Sequence, residues 1–280
     1  MTEVRLKAKE LCAQGVRPTL AVFYAQGVSS AERYCAALKR AANQIPLEIG
    51  LFPLDSGLPK EAVRSLIVDV GADPQVHGLL LLEPFPWPGL SVLIPPEKDV
   101  DGVNPQNLGR LLWQGAGSAG FADLRRELGY ALPTTPQAVL ELLLFYGFSL
   151  RGKEAVVVGG GRVGLPLSIL LLREGLSVVT VCERYAPDLG QVTRRADLIC
   201  LAAGSPGILK VEMVRPGAVV VDVGISVRNG EIVGDADPAV AEVVGAWTPV
   251  PGGVGPVTTA LLLQHVVEAA RRIHQGGNGK

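Results

Sequence analysis

The 280-residue chain has little cysteine and little histidine, and neither is arranged for metal or disulfide chemistry. Cys12, Cys35, Cys182 and Cys200 form no Cys-x-x-Cys pair, and His77, His265 and His274 show no ligand spacing beside them. This pattern speaks against a zinc site and against a disulfide framework, no metal is expected, and four scattered thiols fit a reducing cytosol. An excess of basic charge is missing too: 26 Lys+Arg against 27 Asp+Glu leave a formal net charge of −1. Without a basic field to neutralise phosphates, no nucleic-acid partner is expected. Long apolar runs are absent. The stretches Val76–Leu82 and Gly217–Ile225 have strand length, far short of the ~20 apolar residues that cross a bilayer. The first ten residues alternate charged and apolar side chains, unlike a signal peptide or an organellar presequence. A cytoplasmic protein without a membrane partner is expected.

What the chain does have is glycine (34), proline (21) and 48% hydrophobic residues against 19% charged. Such a composition buries a sizeable core, and the length suits two domains joined by frequent turns. Apolar strand-length runs alternate with helical patterns. Thr19–Tyr24, Leu47–Phe52 and His77–Leu82 read as strands; residues 3–14, Ser29–Asn43 (with a serine N-cap) and Lys60–Val70 read as helices. A proline-rich stretch at residues 84–96 follows. A second series begins at Pro133-Thr134-Thr135-Pro136, with Thr135 as N-cap, and continues with strands at Ala155–Val158, Ser177–Cys182, Leu198–Ala202 and Ala218–Val223. Asn229-Gly230 marks a hairpin between Ser226–Arg228 and Glu231–Val233. A helix at Val257–Ile273 closes the chain, before a Gly/Asn tail expected to fray. Strand–helix–strand alternation implies parallel sheets. The expected fold is therefore α/β with two lobes and a cleft between them. One is an N-terminal three-layer α/β substrate domain (1–132 with 257–280); the other is a Rossmann-type dinucleotide-binding domain (133–256).

The strongest chemical signal is Val158-Gly159-Gly160-Gly161-Arg162-Val163-Gly164, a Gly-x-Gly-x-x-Gly run between an apolar strand and a helix. Gly159, Gly160, Gly161 and Gly164 allow a tight turn and close approach of backbone to a pyrophosphate, which the helix N-terminus then favours. Glu183 ends the next strand, where a carboxylate would bind a ribose 2′-hydroxyl and favour NAD; Arg184 beside it would favour a 2′-phosphate. With Glu183 turned to solvent and Arg184 reaching inward, NADP is placed ahead of NAD.

Several further segments together resemble the bifunctional methylenetetrahydrofolate dehydrogenase/cyclohydrolase family of the FolD type. They are Pro96-Glu97-Lys98-Asp99-Val100-Asp101-Gly102, Asn104–Leu111, Pro133–Pro136, Val221-Asp222-Val223-Gly224-Ile225 and, most specifically, Pro251-Gly252-Gly253-Val254-Gly255-Pro256. The resemblance is collinear over nearly the whole chain. It implies oxidation of methylenetetrahydrofolate to the methenyl cation with NADP, hydrolysis to formyltetrahydrofolate, no metal, and a homodimer. It further implies that Asp101 holds the pterin, that a tyrosine (Tyr34) stacks on it, and that a lysine on the second helix (Lys39) is the catalytic group. The loop Pro251, Gly252 and Gly253 is expected against the substrate, and Ile225 against the cofactor.

Three departures from the family pattern bear on function. The family spaces the helix tyrosine and lysine four apart; Tyr34 and Lys39 are five apart, about 140° round a regular helix rather than about 40°. Either Cys35 occupies the tyrosine's place or a π-bulge restores both. Leu82 falls in the seat of a glutamine that positions the lysine, with Glu83 one residue along and so on the opposite strand face unless a bend swings it inward. The glycine loop is one residue shorter than the family's, which restores ordinary Rossmann spacing. Two alternatives stand beside this reading: a folate- and dinucleotide-binding paralogue with weakened or lost cyclohydrolase, and another two-domain NAD(P) dehydrogenase of the amino-acid or shikimate type.

Overall fold

The structure, a computed structural model, describes residues 1–113, 131–228 and 230–277. Asn229 of the expected hairpin turn, the lobe junction near residue 130 and the tail from 278 lie outside the described residues. The chain forms two compact units, one of residues 1–113, 131–134 and 259–277, the other of residues 135–258.

The first unit is built on a parallel three-stranded sheet. In chain order it contains α1 (Thr2–Ala13), β1 (Thr19–Ala25), α2 (Ser29–Ala42), β2 (Glu48–Leu54), α3 (Lys60–Ala72), β3 (Gly78–Leu82) and α4 (Pro105–Trp113), with sheet order β2-β1-β3. The period of two along β1 decides which layer each side chain joins. Leu20 and Val22 enter one core with Ala8 and Leu11 of α1, Cys35 and Leu38 of α2, and Leu262, Val266 and Ala270 of the final helix. Ala21 and Phe23 enter the opposite core with Val63 and Ile67 of α3 and with Trp87, Leu90 and Ile94 of the proline-rich stretch. Phe23 is wholly buried and stacks on Phe52 at 4.8 Å between ring centroids. Burying a side chain of this kind contributes about 1.5–3 kcal/mol. The unit is thus a sheet with a covered face on each side, and α2 belongs to the layer of Leu20, Val22 and Leu80.

Helix α2 begins without the expected serine cap. Val28 is the N-cap residue, and the Glu32 carboxylate reaches back to accept the Gly27 N–H at 3.2 Å. That back-bond satisfies a donor at the helix entrance and leaves Ser29 free to be helical.

The second unit carries α5 (Thr134–Phe145, its first residue belonging to the first unit), β4 (Glu154–Val158), α6 (Gly164–Arg173), β5 (Val178–Cys182), α7 (Leu189–Thr193), β6 (Leu198–Leu201), β7 (Val219–Asp222), the hairpin β8 (Ser226–Arg228) and β9 (Glu231–Val233), and β10 (Ala246–Trp247). The five-stranded sheet is parallel in the order β10-β7-β6-β4-β5. Chain order reverses at β4: the next strand, β5, lies on one side of it and β6 on the other. In doubly wound sheets, ligands bind beyond the carboxyl ends of the strands at such a point. The two-residue strand β10 is too short to show a period and is not legible in the sequence. Helix α8 (Val254–Gly277) starts in the second unit and continues, from Thr259, in the first.

Candidate dinucleotide and folate sites

The loop that leaves β4 at the switch point is Gly159–Val163. Gly159 has φ +105°, and a Cβ on it would collide with the Ala202 carbonyl at the end of β6. A Cβ on Gly164 would strike the Gly159 carbonyl, so the helix α6 N-terminus can close on the strand only through glycine. Gly161 has nothing within 4 Å of its Cβ position, leaving its surroundings open. These features fit a cradle for a pyrophosphate at a helix N-terminus. The Gly159 N–H donates to the Cys182 carbonyl at 2.7 Å, which lays the end of β5 beside the loop. Glu183 is exposed but is not turned away from the loop: a Cβ on Gly160 would stand 2.7 Å from Glu183 Oε1. The expectation of a Glu183 side chain pointing to solvent is thereby corrected, because the parallel pairing of Val158 with Cys182 brings Glu183 level with the glycines. Arg184 is exposed. Ile225, past the end of β7, is 66% exposed.

Two further residues here escaped the sequence reading. Asp235, with no exposure, accepts backbone N–H groups of Ala203, Gly204 and Ser205 at 2.7, 2.9 and 2.6 Å. Asp222 accepts from Gly224 at 2.9 Å and from Ala236 at 2.8 Å, and burial pushes its carboxyl above the ordinary range. Together the pair pins the loops that follow β6 and β7. Only the neighbouring glycines hint at this, since a Cβ on Gly224 would strike the Asp235 carboxylate and one on Gly234 the Asp222 carboxylate.

In the first unit, the structure brings Tyr34 together with Asp101 and Thr259. Burial, then the nearby Asp101 charge, pushes the Tyr34 phenol up to about 12, while a hydrogen bond with Thr259 acts in the opposite sense. The phenol is therefore neutral at any working pH. The Asp101 backbone is held on both sides. Its carbonyl accepts the Thr134 N–H at 3.1 Å, while the preceding carbonyl, of Val100, accepts from the Thr134 hydroxyl at 3.1 Å and faces His265 Nδ1 at 2.9 Å. Asp99 points the other way: buried, it accepts from Val103 N–H, Asn104 N–H and Asn107 Nδ2 at 2.9–3.0 Å. Lys98 donates to the Gly71 and Asp73 carbonyls at 2.8 and 2.7 Å, closing the end of α3. Of the charged residues in Pro96–Gly102, then, Lys98 and Asp99 hold the loop, Asp101 lies by Tyr34 and Glu97 is exposed.

Lys39 is not brought to this cluster. Helix α2 is regular from Ser29 to Ala42 with no π-bulge, so Cys35, not Tyr34, lies one turn before Lys39. Lys39 is exposed, and its charge favours the thiolate of Cys35, whose pKa burial raises. The inward place beside Tyr34 is taken by Leu38, 1% exposed, and Leu82 packs in the same core. Glu83 does not swing across: it is exposed and accepts the Phe85 N–H at 2.7 Å. Pro251 and Gly252 are exposed and Gly253 half-buried, in a turn of the second unit closed by a Gly253 N–H to Pro249 carbonyl bond at 2.8 Å. Among the described residues no group of His, Cys, Asp and Glu could hold a metal ion, and no helix is long and apolar enough to cross a membrane.

A parallel α/β unit with a glycine cradle at its switch point, in one chain with a second α/β unit carrying a half-buried tyrosine–carboxylate pair, defines a two-unit dinucleotide-dependent enzyme. Two family models match: the tetrahydrofolate dehydrogenase/cyclohydrolase catalytic domain over residues 1–101 and the NAD(P)-binding domain of the same enzymes over residues 133–274. The bifunctional protein FolD of Thermomicrobium roseum is 42% identical over 258 residues, covering 90% of this chain and 84% of that protein. Among solved structures, the bifunctional FolD of Campylobacter jejuni superposes with a TM-score of 0.86 at 34% identity, covering 97% of this chain and 94% of the other. The Trypanosoma brucei enzyme, complexed with NADP and an inhibitor, superposes with 0.85 at 29% identity, covering 97% and 93%. The chain belongs to the tetrahydrofolate dehydrogenase/cyclohydrolase family. It is a methylenetetrahydrofolate dehydrogenase and methenyltetrahydrofolate cyclohydrolase with an NAD(P)-binding domain.

Proposed function

We propose that the first unit binds the folate through Tyr34 and Asp101, and that this pair orients the methylene carbon for hydride transfer. The domain carrying this role comprises residues 1–132 with 257–280, and residues 133–256 carry the dinucleotide. The observation that supports the reading is the half-buried Tyr34 set against Asp101, whose charge, after burial, helps keep the phenol neutral. A carboxylate beside a neutral ring accepts from the N–H groups of a pterin while the ring offers a stacking face. Bound dinucleotide supplies the hydride acceptor; Gly159, Gly160, Gly161 and Gly164 receive its phosphates, Glu183 and Arg184 flank its ribose, and Ile225 lies against its ring. Orientation carries much of the hydride step. For the hydrolytic step the family resemblance assigns Lys39 as acid/base on the attacking water, with Pro251, Gly252 and Gly253 against the substrate, although α2 carries Lys39 on its exposed face. Following methylenetetrahydrofolate oxidation and methenyl hydrolysis in the same cuvette, with NADP, tests the reading; absence of both reactions refutes it.

A second reading concerns the balance of the two activities. Lys39 is exposed, and Leu38 and Leu82 supply only hydrocarbon beside Tyr34. On this reading hydrolysis is the slower step and methenyltetrahydrofolate accumulates during turnover. We also propose a cytoplasmic homodimer; the exposed edge strand β5, with Val178 and Val181 outward, supports an association through that edge. Sedimentation equilibrium reads the oligomeric state directly.

A further inference from the structure

We infer that Glu183 is the residue that sets how far this chain discriminates between NAD and NADP, and that it does so against the 2′-phosphate. The inference rests on the reading that the Gly159–Gly164 loop binds a dinucleotide. β4 and β5 pair in parallel register, Val158 against Cys182, so the residue after each strand emerges on the same edge of the sheet. The Gly159 N–H bond to the Cys182 carbonyl fixes that adjacency at 2.7 Å. From there the Glu183 side chain folds back over the loop, with Oε1 at 2.7 Å from where a Gly160 Cβ would be. Any other residue at position 160 would displace the carboxylate. The glycine therefore has a second use here besides admitting a pyrophosphate.

A carboxylate in this place meets the adenosine ribose of a dinucleotide whose phosphates lie on the loop. It accepts hydrogen bonds from the 2′- and 3′-hydroxyls of NAD. With NADP the same oxygen faces a phosphate, and two like charges at short range disfavour one another. Among the described residues no cation forms an ion pair with Glu183 to neutralise it. Arg184 is the neighbouring cation in sequence and is exposed. Its reach to a 2′-phosphate offsets part of the repulsion without removing the carboxylate. The chain thus uses NADP at a handicap relative to NAD that position 183 controls.

The experiment is steady-state kcat/KM with each dinucleotide, and the Kd of each by calorimetry, for the wild type, Glu183→Gln, Glu183→Ser and Arg184→Ala. Glu183→Gln keeps the shape of the side chain and guards against a loop that fails to form. Both Glu183 variants are expected to raise the NADP-to-NAD ratio at least tenfold, with NADP binding tightened and NAD binding unchanged or weakened. Arg184→Ala is expected to lower NADP use without altering the effect of Glu183. A ratio that stays within twofold in both Glu183 variants, or equal loss for both dinucleotides, overturns the inference and makes Glu183 a loop-packing residue. A wild type that binds neither dinucleotide fells both this inference and the reading beneath it, whereas normal turnover with a ratio indifferent to position 183 fells the inference alone.

Discussion

The Asp222 carboxylate accepts the N–H of Ala236 at 2.8 Å, while the residue just before Ala236, Asp235, holds the loop that follows β6. The two acids form an interlock that ties three crossing segments of the second unit. Backbone N–H groups buried without a partner are costly, so three donors on one carboxylate make Asp235 a stability residue of the cofactor-binding unit. Asp235→Ala is expected to destabilise the protein by about 3 kcal/mol and to weaken dinucleotide binding, while Asp235→Asn, which keeps one acceptor oxygen, costs about half as much. Urea unfolding at fixed pH, with dinucleotide Kd on the folded fraction, measures both. Equal stability of wild type and Asp235→Ala would remove the interlock from the account.

Asp101 is held through its backbone by Thr134, leaving the side chain to face Tyr34. Its removal is expected to act on the folate and not on the cofactor. Asp101→Ala should raise the KM for methylenetetrahydrofolate at least tenfold with dinucleotide Kd unchanged. An unchanged KM would return Asp101 to a loop role like that of Asp99.

Lys39→Met separates the two reactions. As the acid/base of hydrolysis, its loss is expected to slow methenyl hydrolysis by about 10²-fold and to leave hydride transfer within twofold. Hydrolysis that is already slow in the wild type and indifferent to Lys39→Met would instead establish the second reading, with Lys39 a solvated cation on α2.

The Tyr34 phenol, raised from an ordinary 10.0 to about 12 by burial and by Asp101, has a defined pH signature. Between those values the native state keeps a proton that the unfolded chain has lost, so Tyr34 makes stability fall as pH rises through that window. Tyr34→Phe should flatten this alkaline loss, and Asp101→Asn should bring ionisation of the phenol to lower pH. Ultraviolet difference titration of tyrosinate, wild type minus Tyr34→Phe, follows it. A phenol titrating at its ordinary value would mean that Tyr34 is open to water.

Most of the strands and helices were legible in the sequence, because alternating short apolar runs and helical patterns are local signals, whereas α4, α7 and β10 were not. The glycine loop was legible for the same reason: strand, three glycines and helix stand within a dozen residues. Residues one apart on a strand face opposite layers, so the separation of Leu82 from Glu83 was legible without coordinates: Leu82 lies with the α2 layer and Glu83 is exposed. Tertiary structure alone decided the rest. Whether α2 would carry a bulge depended on packing against β1 and α8, and with Ala31, Cys35, Leu38 and Ala42 all buried a regular helix already presents an unbroken apolar stripe. Asp235 and Asp222 gained their partners from segments 14 to 32 residues away, beyond any local pattern. The direction of Glu183 followed from the register of two strands 20 residues apart, which no spacing of residue types encodes. Local sequence specifies which elements form; the approach of distant backbones specifies which side chains share a site.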